Sequence, residues 1–264
     1  EEAGLFARSI RPEAAGISPT DGVVSGFGRI DGRLCGVNAA DFTVLGSSSA
    51  EVHGKKQAFV RNAAAQNGHP VINLMECAGG RIPDIMGAAG IGRAGEHSRY
   101  TRTRTTPTLS AVMGLTYGGG AFACINSDLV VMRKGAVLAV SSQMATSVAI
   151  GEEMDPQDLG GWRHHSEGTG FVDAVVDTDE DCIAWIRKAL SYFPDHANAT
   201  TPVAPIPPDA EDAVAGILDL VPEHRGKTYD MRKVIAAIAD PGSVLPVKDR
   251  FAKVAVTCLA RIRG

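Results

Sequence analysis

No stretch of this sequence is apolar over the roughly 20 residues that a helix needs to cross a bilayer, and Glu1-Glu2-Ala3-Gly4 lacks the basic-then-apolar order of a secretory signal. No membrane association is expected, and the localisation read from these absences is cytoplasmic. Charge of one sign is also scarce. The formal net charge is -4, which argues against a nucleic-acid partner. No Cys-x-x-Cys pair occurs, so a zinc ribbon is not expected and no metal is assigned to the chain. Cys35, Cys77, Cys124, Cys182 and Cys258 are odd in number, widely spaced and mostly set among apolar neighbours, the pattern of reduced core thiols. Missing too is a convincing Ser-His-Asp or Cys-His set for nucleophilic catalysis.

What is present is a substantial core and a repeated glycine device. The 264 residues are 44% hydrophobic, enough for one large or two small domains. Two apolar runs, Val71 to Met75 and Leu109 to Met113, read as buried strands, and each leads to paired glycines, in Glu76-Cys77-Ala78-Gly79-Gly80-Arg81 and in Gly114-Leu115-Thr116-Tyr117-Gly118-Gly119-Gly120. Paired glycines at a strand exit let backbone N–H groups approach a ligand, because no Cβ intervenes and positive φ costs little. A helix starting after Gly119 would add the N–H groups and dipole of its first turn. Two such exits side by side would make an oxyanion hole, the device that stabilises an enolate or a tetrahedral intermediate. The competing explanation is that the glycines serve tight turns or close helix-sheet packing. One pair alone fits that explanation better; two in matching contexts favour a site.

In chain order, residues 1 to 20 read as a polar lead-in. Gly22 to Ile30 and Arg33 to Ala39 flank Asp31-Gly32, a hairpin signal. Ser48 and Glu51 form a capping-box pattern before a helix to about Asn67. Between Arg81 and Thr106, Arg93, His97, Arg99, Tyr100, Arg102 and Arg104 form a basic segment suited to the phosphates of a nucleotide-bearing substrate, or else to a solvated or subunit-facing loop. Gly90 to Gly95 matches the dinucleotide fingerprint by letters, but no strand precedes it and no acid follows at the right distance. Strands are expected over Asp128 to Met132, Ala136 to Val140 and Phe171 to Val176. Helices are expected from Ser141 to Ile150 and, capped by Thr178 and Asp181, through Leu190. Adjacent Glu152 and Glu153, and adjacent His164 and His165, read as packing or solvated positions rather than chemistry. A Pro-rich connector from Thr201 to Pro208 marks a boundary, with two helical stretches beyond it. The terminal Leu259-Ala260-Arg261-Ile262-Arg263-Gly264 echoes Phe27-Gly28-Arg29-Ile30-Asp31-Gly32, as though a second copy were beginning.

These residues resemble the N-terminal half of the carboxyltransferase (beta) subunits of biotin-dependent acyl-CoA carboxylases. The resemblance is carried by Asp21-Gly22-Val23-Val24, Gly28 to Arg33, Asp41-Phe42-Thr43-Val44, Gly79-Gly80-Arg81-Ile82, Gly118-Gly119, Gly151-Glu152-Glu153 with Leu159-Gly160-Gly161, and Leu190-Ser191-Tyr192 with Tyr229-Asp230. It implies an α/β fold of crotonase-like ββα superhelix type, one of the two repeats of a carboxyltransferase. The expected organisation is a lead-in over 1–20, a crotonase-like domain over 21–200, and a connector with the start of a second repeat over 201–264. The implied reaction is transfer of a carboxyl group from carboxybiotin to the α-carbon of an acyl-CoA through an enolate. Gly118, Gly119, Gly79 and Gly80 are the implied catalytic positions, and Phe42, Ser48, Arg81 and Arg99 the implied acyl-CoA contacts. Biotin would take the α-proton itself, so no side-chain base is required. Implied partners are a biotin carboxylase and biotin carrier subunit and a second carboxyltransferase half or subunit, in a homo- or hetero-oligomer. The chain departs from the family pattern at Ala78, where the first glycine of a pair is usual, at Cys77, where serine is usual, and at Gly46-Ser47-Ser48 and Ser142-Gln143-Met144. Two alternatives stand beside the carboxylase: a decarboxylase subunit running the transfer in reverse, and a non-catalytic subunit that holds an assembly together.

Overall fold

The computed structural model describes residues 1–94, 104–210 and 212–264. The lead-in is more ordered than its polarity predicts. Strand β1 (Glu2–Ala3) lies antiparallel on β2 (Val23–Ile30), and it can do so because residue 26 is glycine: a Cβ there would stand 2.2 Å from the Glu1 carbonyl oxygen. A short helix α1 (Pro12–Ala15) and a 3₁₀ turn (Pro19–Gly22) follow. The Asp31-Gly32 signal forms the expected hairpin of β2 with β3 (Arg33–Ala40), with φ of 50° at Asp31 and 84° at Gly32, the double positive φ of a type I′ turn.

Helix α2 (Glu51–Asn67) ends at Gly68 in the left-handed conformation, as expected, but it does not start with a capping box. Ala50 is its N-cap, and the Ser48 hydroxyl donates to the Leu45 carbonyl at 2.7 Å instead. The chain continues through β4 (Val71–Ala78), α3 (Gly87–Ala94), β5 (Thr108–Tyr117), α4 (Gly119–Ile125), β6 (Leu129–Arg133), β7 (Val137–Ala139), α5 (Gln143–Ile150), α6 (Pro156–Gly160), β8 (Ala174–Val176) and α7 (Asp179–Leu190). The fingerprint-like glycines Gly90 and Gly92 fall inside α3, away from any strand exit.

Among the described residues the main sheet runs β1-β2-β3-β4-β5-β6-β8, with β7 beside β5. It is antiparallel from β1 to β3 and parallel from β3 onward. Parallel strands covered on both faces read as continuous apolar runs, and β5 is the example: Leu109, Ala111 and Cys182, Ile186 and Leu190 of α7 belong to one core, while Val112 and Ala121, Cys124 of α4 belong to the other. The α7 capping box of Thr178 and Asp181 is present. Cys35, Cys77, Cys124 and Cys182 are buried free thiols, and Cys258 is half-buried and free.

Past the connector come a 3₁₀ stretch (Asp212–Leu220), α8 (Met231–Ile238) and the hairpin β9 (Leu245–Val247) with β10 (Thr257–Leu259). This segment is bound to the main body. Leu245 enters the α7 core, the Lys248 amide donates to the Asp173 carbonyl at 2.7 Å, and its ammonium lies 3.1 Å from the Asp173 carboxylate. The terminal residues that echo the first hairpin are tied to the main body. Arg261 donates to the Pro202 and Ser191 carbonyls, and the Asp240 carboxylate accepts the Arg263 and Gly264 amides.

Candidate active site

Parallel neighbours β4 and β5 end in register, Ala78 opposite Tyr117, so their glycine pairs emerge side by side. Gly79 has φ 102°, and Gly118 has φ 56° with ψ -119°, conformations that a side chain would strain. A Cβ placed on Gly118 would lie 3.5 Å from the Gly79 Cα and 3.8 Å from the Gly80 nitrogen. The two exits are therefore in contact, as the doubled pattern predicts.

The four glycines do different things with their N–H groups. Gly118 does not point its N–H into the site: it donates to the Ala139 and Val140 carbonyls, at 3.3 and 3.1 Å. That corrects the sequence expectation of Gly118 as a donor; its contribution is the backbone turn that no other residue makes easily. The Gly79 N–H meets the Cys77 sulfur at 3.4 Å. Gly80 is exposed, and no described residue accepts its N–H. Gly119 opens α4 directly after the Gly118 turn, and the first-turn N–H groups of a helix have no acceptor within the helix.

Sequence reasoning missed Ser49. Its amide donates to the Gly79 carbonyl at 2.7 Å and its carbonyl accepts the Arg81 amide at 2.8 Å, a parallel bridge that grips the loop around Gly80. Its hydroxyl sits 3.6 Å from the Cys77 sulfur, and a Cβ on Gly119 would come within 2.4 Å of that hydroxyl oxygen. The serine run after Gly46 was the available signal, but only the bridge shows which serine faces the glycines. Cys77 is 1% exposed, and a Cβ on Gly120 would come 2.6 Å from the Cys77 Cβ. It packs under the start of α4, as the sequence favoured.

The expected substrate contacts divide. Phe42 is exposed and stays at the rim: a Cβ on Gly46 would be 2.8 Å from the Ala78 Cβ and 3.8 Å from the Phe42 ring. Ser48 is buried and accepts from Arg81 Nε at 3.0 Å. Arg81 was expected to face substrate; its side chain is 6% exposed and pairs with the wholly buried Asp21 at 2.5 Å, with a further bond to the Ser48 carbonyl. A guanidinium enclosed in this way supports the loop instead of reaching a phosphate. Arg99, with His97, Tyr100 and Arg102, lies outside the described residues, and Arg104 pairs with Asp128 at 2.8 Å. Burial raises the Tyr117 phenol above its ordinary value against a smaller opposing effect of the Gln143 backbone, so the residue before Gly118 stays neutral at physiological pH. His165 is a packing residue: its ring nitrogen lies 2.7 Å from the Leu138 carbonyl oxygen, and burial lowers its pKa. Among the described residues no cluster of three or more His, Cys, Asp or Glu could hold a metal.

Comparison with known proteins adds an independent line. The chain matches the carboxyl transferase domain family over residues 2–264. It is 30% identical over 246 residues to the propionyl-CoA carboxylase beta chain of Roseobacter denitrificans, covering 92% of this chain and 48% of that one. It is 34% identical to the propionyl-CoA carboxylase carboxyltransferase subunit of Haloferax mediterranei and 32% identical to the methylmalonyl-CoA decarboxylase subunit alpha of Veillonella parvula, in each case with 93% of this chain and 48% of the relative covered. Among solved structures, transcarboxylase 12S with hydrolysed methylmalonyl-coenzyme A bound superposes with a TM-score of 0.87 at 29% identity, over 100% of this chain and 53% of that chain. The chain thus spans about half the length of the curated relatives it matches. The fold is the expected α/β crotonase-like one, and the chain belongs to the carboxyl transferase domain family.

Proposed function

We propose that this chain is the acyl-CoA-binding half of a carboxyltransferase that moves a carboxyl group from biotin to the α-carbon of an acyl-CoA. The observation that carries the reading is the contact between the two glycine exits, with the Gly80 nitrogen of an exposed residue close to Gly118 at the start of α4. The thioester oxygen sits between Gly80 and Gly119, and its charge grows as the α-proton leaves. Fixed N–H donors stabilise that charge more than the neutral thioester, which is what lowers a barrier. Gly118 and Gly79 hold the turns that bring these donors together. Phe42 covers the apolar part of the substrate at the rim, and Arg99 contacts the CoA phosphates. This chain needs no side-chain base, because carboxybiotin on a partner's carrier would supply the carboxyl group and, once that has left, the site that takes the α-proton. A second carboxyltransferase half and a biotin carboxylase complete the enzyme in an oligomer.

The resemblance to the Veillonella decarboxylase subunit favours one second reading, the same transfer run from acyl-CoA onto biotin. Both are tested with the full native protein, carboxylated or free biotin carrier, and a panel of CoA thioesters. Biotin-dependent carboxylation supports the first reading. Net decarboxylation alone selects the second. Absence of transfer in either direction, with CoA thioesters failing to bind, overturns both.

A further inference from the structure

The Gly80 N–H can act only if its loop is held still, and the residue that follows it is anchored in an unusual way. Arg81 is buried, and its guanidinium donates to the Asp21 carboxylate, the Ser48 hydroxyl and the Ser48 carbonyl. The other Asp21 oxygen accepts the His53 amide in the first turn of α2 at 2.9 Å. Asp21 therefore joins two elements that the sequence separates by dozens of residues.

The backbone around this pair is contorted. Thr20 and Asp21 have φ of 51° and 53°, and Leu45 and Ser47 have φ of 50° and 46°, left-handed conformations that side chains disfavour. The two turns lock together: the Ser47 hydroxyl donates to the Gly22 carbonyl at 2.8 Å, and a Cβ on Gly22 would stand 2.9 Å from the Val44 carbonyl oxygen. The Lys56 ammonium donates to the Thr20 and Val23 carbonyls at 2.9 and 2.6 Å and holds the first turn from the α2 side. Backbone strain persists only where surroundings over-determine it, and it concentrates at functional sites. Here it converges on the Arg81 anchor, one residue from the Gly80 N–H, which no described residue accepts.

We propose that Asp21 and Arg81 are positioning residues: a buried ion pair that fixes the Gly79-Gly80 loop against Gly118 and so aims the Gly80 N–H at the enolate oxygen. This rests on the carboxyltransferase reading above. Neither residue touches substrate. A positioning role predicts loss of affinity for an enolate-like ligand with little change for a neutral thioether, because only the charged oxygen depends on the exact direction of the N–H.

The test uses the full native protein in its assembled enzyme and two CoA thioethers, one carrying a nitroethyl group, whose nitronate mimics the enolate, and one carrying a plain ethyl group. Arg81→Lys keeps the charge but loses the guanidinium fork. The double variant Asp21→Asn with Arg81→Gln removes both charges together and avoids a lone buried ion. Ser48→Ala leaves the ion pair in place and removes one acceptor, so it reports on a protein whose folding is least disturbed. Calorimetry should show the preference for the nitronate falling about 10-fold or more in the first two and less in Ser48→Ala, with the ethyl thioether affinity within about twofold of the parent. An unaltered preference in all three variants overturns the proposal while leaving the oxyanion site standing. Equal loss of both ligands means general structural support and also overturns it. A parent protein that does not prefer the nitronate removes the oxyanion reading, and this proposal with it.

Discussion

At the residue scale, Gly119 is a position in the site where no side chain fits without movement of a neighbour. A Cβ there would press within 2.4 Å of the Ser49 hydroxyl oxygen, which bridges toward Cys77. Gly119→Ala must turn the Ser49 hydroxyl away, and with the Ser49 Cβ only 3.3 Å off it also presses on the residue whose backbone bridges to Gly79 and Arg81. Alanine keeps the backbone N–H, so the donor at 119 is displaced and not removed; since loss of one oxyanion donor costs about 100-fold in turnover or more, kcat of Gly119→Ala is expected to fall by up to about that factor while KM for the acyl-CoA changes little. Adding Ser49→Gly, which removes both the hydroxyl and the Cβ, should restore part of the loss in steady-state assays. The buried thiols make a second prediction. Burial pushes the Cys35 thiol up to about 11 and the Cys182 thiol up to about 12, from an ordinary 9.0. Above pH 9 the unfolded chain releases these protons while the native state retains them, so the native state binds more protons and stability falls as pH rises from 9 toward 11. Urea denaturation at pH 8 and pH 10 checks the sign. Alkylation at pH 9 should leave Cys35 and Cys182 unmodified until the protein is unfolded, because the thiolate is the reactive form.

At the scale of elements, the expected capping box at Ser48 and the expected helix start at Thr178 have opposite fates. Thr178 and Asp181 satisfy each other's backbone at the start of α7, a helix whose Cys182, Ile186, Ala189 and Leu190 face the core. Thr178→Ala should cost about 1 kcal/mol of stability through the lost cap, measured by urea titration with turnover retained. Ser48 and Glu51 have the same letters but not the same role, because Ser48 is turned toward Leu45 and Arg81 and Glu51 pairs with Lys55. A local pattern is read reliably only where no distant residue competes for the same hydroxyl. The hairpin at Asp31-Gly32, the helix stop at Gly68 and the glycine exits were legible because they depend on backbone conformation a few residues long. The role of Ser49, the burial of Arg81 and the diversion of the Gly118 N–H were not, since each is decided by a partner far away in sequence.

Across the whole molecule, the segment after the Pro-rich connector is tied to the main body at several points, and Lys248 forms one of them. Its ammonium donates to the Gly170 and Phe171 carbonyls at 2.6 and 3.1 Å and lies against the Asp173 carboxylate, which also accepts the Val130 amide. Nearby, a Cβ on Gly170 would collide with the Phe251 ring, so this corner is packed to contact. Lys248→Met should release the corner. Limited proteolysis of the full native protein is expected to cut faster between residues 201 and 264, with the glycine exits and CoA thioester binding unaffected. Protection equal to that of the parent would mean that β9, β10 and the Leu245 contact hold the segment without Lys248.

By itself the sequence determined the strands and helices from Gly22 to Leu190 other than α3 and α6, and the doubled glycine device, because apolar runs, turn dipeptides and glycine pairs act over short distances. It also placed the chain near the right family through several motifs in the right order. Tertiary structure decided which N–H groups remain for a ligand. β7 takes the Gly118 N–H, the Cys77 sulfur takes that of Gly79, and Ser49 occupies the backbone on both sides of Gly80, while no described residue accepts the Gly80 N–H itself. Hydrogen-bond partners are assigned by proximity in space, and proximity between β4, β5, β7 and the Ser47-Ser48-Ser49 turn exists only after the sheet has formed.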